Sequence, residues 1–250
     1  MDADEMFSPD LISSRVPRGV FRSAGATALL GDAAVLIWND VVDEGRDLFY
    51  RWHDLEHIPE RIALPGFRRG RRFARSGHSP AWLTMYEAAD LEALTSPEYL
   101  ERLDHPTPGT RNALQYFRNT SRAVCRLAYS TGGSTGGHML ALRIELPAEY
   151  AEELRFCIRD RLFPAAMAIT GVLACHLFES DQRASHIDTA ESSTRAFDVP
   201  SAVILCEATR ADAAEAARKA IEGEHFRRLE VLVRPGTAVY DLEISRLAAH

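Results

Sequence analysis

The chain has 250 residues, 46% of them apolar, enough to bury a full core as one large domain or two of ordinary size. Its formal charge is −7, with 29 Lys and Arg against 36 Asp and Glu, a balance that repels nucleic acid and anionic lipid and excludes both as expected partners. No apolar run approaches the roughly 20 residues of a membrane span, and the opening MDADEMFSPD is acidic where a secretory leader is basic, so the expected location is the cytoplasm.

Residues 1–30 lie outside the pattern that follows and read as an N-terminal arm. The first apolar strand, AVLIWNDV at 34–41, leads into an amphipathic helix that stops at LPGF, 64–67. A basic strand carrying Arg68, Arg69, Arg71, Arg72 and Arg75 comes next. Alternation is expected to send most of these to solvent and to leave one able to bind a carboxylate. PAWLTMYEA at 80–88, a helical region and SRAVCRLAY at 121–129 complete the first half.

STGGSTGG, 130–137, is too rich in glycine and serine to hold one conformation and reads as a linker. Beyond it the pattern recurs: HMLALRIEL at 138–146, a helix, ITGV at 169–172, a strand, PSAVILCEA at 200–208, a helical region, and TAVYDLEISRL at 237–247. A polar loop spans 180–199; loops of that length in a compact domain are usually functional or disordered. Each half therefore reads β-α-β-β-α-β, the order of a ferredoxin-like unit.

AVLIW and AWLTMY are apolar on both alternating faces, so both faces of the sheet must be covered, and helices cover only one. Two units, 31–129 and 138–250, are therefore expected to pack sheet against sheet as an α+β barrel within one chain. Cys125, Cys157, Cys175 and Cys206 lie far apart without a CxxC pair, which favours reduced core thiols over a zinc or disulfide framework.

Groups able to move protons concentrate in WHDLEHIPERIALPGFRRGRRF, residues 52–73. His53 and His57 are spaced i,i+4, as are Glu56 and Glu60, which sets each pair on neighbouring turns of a helix. A helical wheel places Leu48, Trp52, Leu55 and Ile62 on the core stripe, with His53 on its flank and His57 nearly opposite. Comparing the halves gives a different answer. Setting LPGF on ITGV superposes Pro59 on Pro164, His53 on Ile158 and His57 on Leu162, so both histidines occupy positions that are apolar in the second half. Because Pro59 disrupts helical phase, the comparison carries more weight, and both rings are expected to face inward.

WHDLEHIPERIALPGF, the basic strand after it and SPEYLERLDHPTPGTRNALQYFRNTSRAVCRL together resemble the EthD-like branch of the dimeric α+β barrel superfamily. The resemblance covers residues 34–128 by motif and 138–247 by fold pattern, and His53, His57 and Pro59 are the positions that match. It implies a pocket between sheet and helices. Relatives in the wider superfamily include cofactor-free monooxygenases, muconolactone isomerase-like enzymes, and haem-binding peroxidases and chlorite dismutases. Typical EthD-like chains carry one unit and dimerise. Here the second unit lacks the histidines, which implies a scaffolding role, one site per chain, and a homodimer of the two-unit chain as the form of any further association.

The expected function is a cofactor-independent acid/base enzyme, of lyase, isomerase or oxygenase type, acting on a small, largely apolar organic compound in catabolism. His53, His57 and Glu60 are the candidate catalytic groups. Trp52, Arg61, Phe73, Tyr86 and His105 are the candidates for binding substrate, and no cofactor or metal is expected. Two alternatives remain. One is a non-catalytic module for a hydrophobic ligand or haem, with a histidine as recognition group or axial ligand. The other is a zinc hydrolase, because HDLEH fits H-x-x-E-H with His53, Glu56 and His57; Pro59 and the Pro-Gly at 65–66 leave little room for the long helix such sites use.

Overall fold

The structure, a computed structural model, describes residues 21–22, 27–191 and 198–249. Most of the expected N-terminal arm and residues 192–197 of the expected polar loop lie outside the described residues. The strands are β1 Phe21–Arg22, β2 Ala33–Val41, β3 Phe67–Ala74, β4 Trp82–Ala88, β5 Phe117–Thr131, β6 His138–Glu145, β7 Val172–Ser180, β8 Ala202–Ala208, β9 Leu232–Val233 and β10 Ala238–Leu247.

Two groups of four strands follow the ferredoxin-like order, β5-β2-β4-β3 and β10-β6-β8-β7. β10 pairs antiparallel with β3, and β5 pairs antiparallel with β7, so the sheets join at both edges and close an eight-stranded barrel. Closure satisfies backbone groups that open edges would leave bare. Every residue of β4 and of β8 is buried, as their two-faced apolar pattern requires. An eight-stranded barrel is just wide enough for side chains to fill, and Trp38, Phe73, Met85, Phe178, Leu205 and Tyr240 pack its interior.

One end of that interior is charged. Arg71 donates to Glu207 Oε1 at 2.7 Å and lies 3.1 Å from Glu87 Oε1, which also accepts from Arg69 Nε at 2.7 Å. Glu87 and Glu207 hold equivalent places in the two units. Each accepts a backbone N–H from the residues entering its unit's first strand, Leu30 at 3.0 Å and Gly136 at 2.8 Å. Gly31 and Gly136 are also equivalent: at either, a Cβ would overlap the carbonyl of Ala88 or Ala208, so only glycine lets the chain pass. His176, fully buried, contacts Ser130 Oγ through Nδ1 at 2.8 Å. Burial first, then Arg71 and Arg69, push its pKa down to about 3, so the ring is neutral. The basic strand is thus not mainly a surface strand: Arg69, Arg71 and Arg72 are all buried, each with a carboxylate partner.

The helices are α1 Arg46–Trp52, α2 Ile58–Ile62, α3 Pro97–Asp104, α4 Pro108–Leu114, α5 Ala151–Cys157, α6 Phe163–Met167, α7 Gln182–Ser185, α8 Ala211–Ile221 and α9 Glu224–Arg228. A π-helical turn, His53–His57, joins α1 to α2, and another, Ile158–Leu162, joins α5 to α6. Pro59 and Pro164 have no N–H to give the ladder, and the N–H groups of Ile58 and Phe163 reach back five residues, to His53 and Ile158. The wider turn shifts the helical phase. His53 and His57 are buried, while Leu55, which the wheel placed in the core stripe, is 75% exposed. All four cysteines are buried and unbridged. Among the described residues no helix is long and apolar enough to cross a membrane.

Candidate active site

The helix-facing side of the first sheet carries a cross-strand row: Arg122 on β5, Ile37 on β2, Thr84 on β4 and Arg72 on β3. Ile37 sits at the centre of this sheet, yet it is only partly buried. The equivalent row of the second unit is Leu142, Ile204 and Leu177, all closed over by helices. Solvent thus reaches the middle of the first unit's row, leaving a hollow at Ile37, while the matching residues of the second unit are fully buried.

The π turn supplies one wall. His57 lies against the indole of Trp52, ring centroids 4.3 Å apart, and edge-on to Tyr86 at 6.2 Å. A Cβ at Gly70 would press on Ile58, Ile62 and Tyr86, so glycine there brings α2 close to β3 and seats His57 on Tyr86. Trp52 is fixed by its indole N–H, which donates to Thr110 Oγ1 at 3.2 Å. Glu56 accepts the hydroxyl of Thr107, the N-cap of α4, and so ties the turn to that helix.

His53 stacks on Phe49 at 5.2 Å, with Arg72 NH1 2.9 Å from its Nδ1. Burial and the Arg72 charge hold the imidazole well below its usual pKa. Arginine only donates, so Nδ1 accepts and the proton of the neutral ring sits on Nε2. Arg72 is itself held by Asp54 at 2.5 Å and Glu243 of β10 at 2.7 Å, and lies 4.6 Å above the Tyr50 ring. Tyr50 donates to the other oxygen of Glu243 at 2.7 Å.

Arg61 projects from α2 onto Tyr99, 5.9 Å from the ring centroid, and pairs with Glu191 of the second unit's loop at 2.5 Å. Its NH1 and the hydroxyl of Tyr86 are buried without a hydrogen-bond partner among the described residues. Burial pushes the Tyr86 phenol up, so it stays protonated and can only offer a proton or a lone pair.

Of the residues singled out in the sequence, His53, His57, Trp52, Arg61 and Tyr86 gather on this side of the first sheet. Three do not join them. Phe73 points into the barrel interior, on the opposite face from the helices, because it is one residue out of phase with Arg72. Glu60 turns towards α3, 3.7 Å from Arg102. His105 is exposed, and its Nδ1 caps the end of α3 through the carbonyl of Glu101 at 3.2 Å. Arg72, Arg122, Ile37 and Glu191 were missed. Only the first had a local signal: it shares a strand face with Gly70, beneath the helix.

HDLEH does not converge as a zinc site. Arg72 occupies Nδ1 of His53, Glu56 is turned to Thr107, and among the described residues no group of three or more His, Cys, Asp or Glu could hold a metal ion.

A closed barrel of two ferredoxin-like units is the fold of the dimeric α+β barrel superfamily, and this chain has it. Among solved structures it is similar to an anthrone oxidase-like protein, at 14% identity and TM-score 0.62 over 90% of this chain and 96% of that one. A candidate monooxygenase of Fusobacterium nucleatum matches at 10% identity and TM-score 0.52, covering 88% and 95% of the two chains. Chlorite dismutase of Candidatus Nitrospira defluvii matches at 13% and 0.54, covering 85% and 91%. No protein-family model and no curated protein matches the chain.

Proposed function

We propose that this protein is a cofactor-independent oxidase of a small, largely apolar carbon acid, working in the hollow above Ile37. The observation that carries the reading is a set of donors on the helix side of the first sheet: the Nε2–H of neutral His53, together with the protonated Tyr86 phenol and the NH1 of Arg61, which have no acceptor among the described residues. Donors fixed in a water-poor site stabilise an oxyanion, and a neutral histidine is a known form of such a donor. A carbon acid beside a carbonyl becomes an enolate when its C–H proton leaves. His57, packed between Trp52 and Tyr86, is the proton acceptor in this reading. His53 thus serves as donor where the sequence suggested a base.

The enolate is the reductant. Dioxygen takes its electrons and supplies the new oxygen, so that CH2 + O2 becomes C=O + H2O and no cofactor need carry electrons. The likeness to an anthrone oxidase-like protein and to a candidate monooxygenase supports oxidation over isomerisation or lysis. Haem fits these residues poorly. An axial histidine donates its far N–H to an acceptor, whereas His53 accepts a hydrogen bond there from a cation, and the indole of Trp52 lies against His57.

Anthrone in air is the test substrate. One O2 is expected to be consumed per anthraquinone formed, with turnover lost in His57→Ala. If neither anthrone nor other benzylic carbon acids cause oxygen uptake by the pure protein, the reading is wrong.

A further inference from the structure

Arg122 is 4% exposed, and among the described residues no carboxylate pairs with it. Its guanidinium donates to the carbonyl of Ala184 at 3.4 Å and to the hydroxyl of Tyr99 at 3.3 Å, both neutral and both long, and its Nε has no partner among the described residues. Every other buried arginine among the described residues, Arg61, Arg69, Arg71, Arg72 and Arg143, meets Asp or Glu. A buried charge without a counter-charge is costly, and the fold keeps this one beside the hollow.

Its position is specific. Arg122 is the direct cross-strand neighbour of Ile37, the open floor residue, so their Cβ atoms are about 5 Å apart on the same face. Arg61 approaches from the helix side: both guanidiniums stand over the Tyr99 ring, at 5.8 and 5.9 Å from its centroid. Glu191 pairs with Arg61, whereas no described carboxylate pairs with Arg122. At the other end of the row, three strand spacings or about 14 Å away, Arg72 is fully engaged with Asp54 and Glu243.

We propose that Arg122 and the free NH1 of Arg61 form a carboxylate-binding subsite, so that the substrate is a small, largely apolar acid whose carboxylate docks on β5 while its reacting carbon faces His57. This deepens the reading of the hollow as an active site and rests on it. A planar carboxylate matches the guanidinium fork. It supplies negative charge and satisfies the two nitrogens, Arg61 NH1 and Arg122 Nε, that no described residue reaches. In the second unit the place matching Arg122 falls to Thr237, just before β10, beside the apolar Leu142, Ile204 and Leu177, so no guanidinium stands there.

Benzoate and benzamide, equal in shape and different in charge, are the probes, and binding to the whole chain is followed by calorimetry. Benzoate is expected to bind tighter by about tenfold or more, the scale of a hydrogen-bonded buried charge. Arg122→Gln is expected to erase the preference, and Arg122→Lys, which keeps the charge without the fork, to retain part of it. Equal binding of the two probes to the wild type, or a preference that survives Arg122→Gln, overturns the proposal. Should Arg122→Gln not fold, the wild-type comparison together with Arg122→Lys decides it. Oxygen uptake is read separately. Arg122-dependent benzoate binding without any oxidase activity retires the proposed reaction and leaves the subsite standing, while oxidation of neutral substrates with no benzoate preference does the reverse.

Discussion

Arg72 donates to Nδ1 of His53 across 2.9 Å, and this contact sets the tautomer of the ring and therefore its chemistry. With the acceptor nitrogen occupied by a permanent cation, the imidazole is neutral and carries its proton on Nε2. Replacing Arg72 by Gln removes the charge and the pairs to Asp54 and Glu243. The His53 ring is then expected to titrate closer to its ordinary range, followed by its imidazole NMR signals. Stability should fall by about 1–2 kcal/mol, the scale of charged hydrogen bonds at partly exposed partners. A His53 titration unmoved by the substitution would show that burial alone holds the ring neutral.

His57→Ala is expected to lower kcat by about 10²–10⁴, the usual contribution of a positioned proton-transfer group. His105→Ala, at an exposed helix end, should leave kcat unchanged. Equal effects of the two substitutions would remove His57 from the mechanism.

Tyr86→Phe separates stability from activity. The hydroxyl is buried without a partner among the described residues, and an unsatisfied buried polar group costs about 1–3 kcal/mol. Its removal should keep or raise the melting temperature while kcat/KM drops by about tenfold or more, as for an oxyanion donor. A variant that is less stable and equally active contradicts both halves of this expectation.

Acid should destabilise the fold through its buried histidines. His176 has a folded pKa of about 3 against 6.5 when unfolded, so below pH 6.5 the unfolded chain binds a proton that the folded chain refuses. Stability from this group is complete above pH 6.5 and declines as pH is lowered, by about 2 kcal/mol at pH 5. His53, shifted in the same direction, adds to the slope. Denaturant titrations of the wild type and His176→Gln at pH 7 and pH 5 measure the term: the variant should lose less stability between them. Parallel losses would exclude His176 as the source.

Much of this was legible because the chain repeats itself. Superposing Pro59 on Pro164 placed both histidines on apolar positions, and they are buried. The helical wheel failed at Leu55 because it assumes a constant phase, which the π turn breaks. Phe73 was assigned to the wrong face for a related reason: a strand buried on both sides shows alternation without telling which side the helices take. The arginines were harder still. Glu207, Glu243 and Glu191, which neutralise Arg71, Arg72 and Arg61, all come from the second half, more than a hundred residues away, and no local pattern announces them. Nothing in the sequence distinguishes Arg122 from Arg126, its exposed neighbour on the same strand.

The seam between β3 and β10 places Glu243 under Arg72 within a single polypeptide. Where two separate chains make such a contact, dilution pulls it apart. Here the tether keeps the supporting carboxylate at hand at any protein concentration, so specific activity should stay flat from micromolar stocks down to trace amounts. It also releases the halves from being identical: one could fill its hollow with leucine and isoleucine while the other kept its arginines.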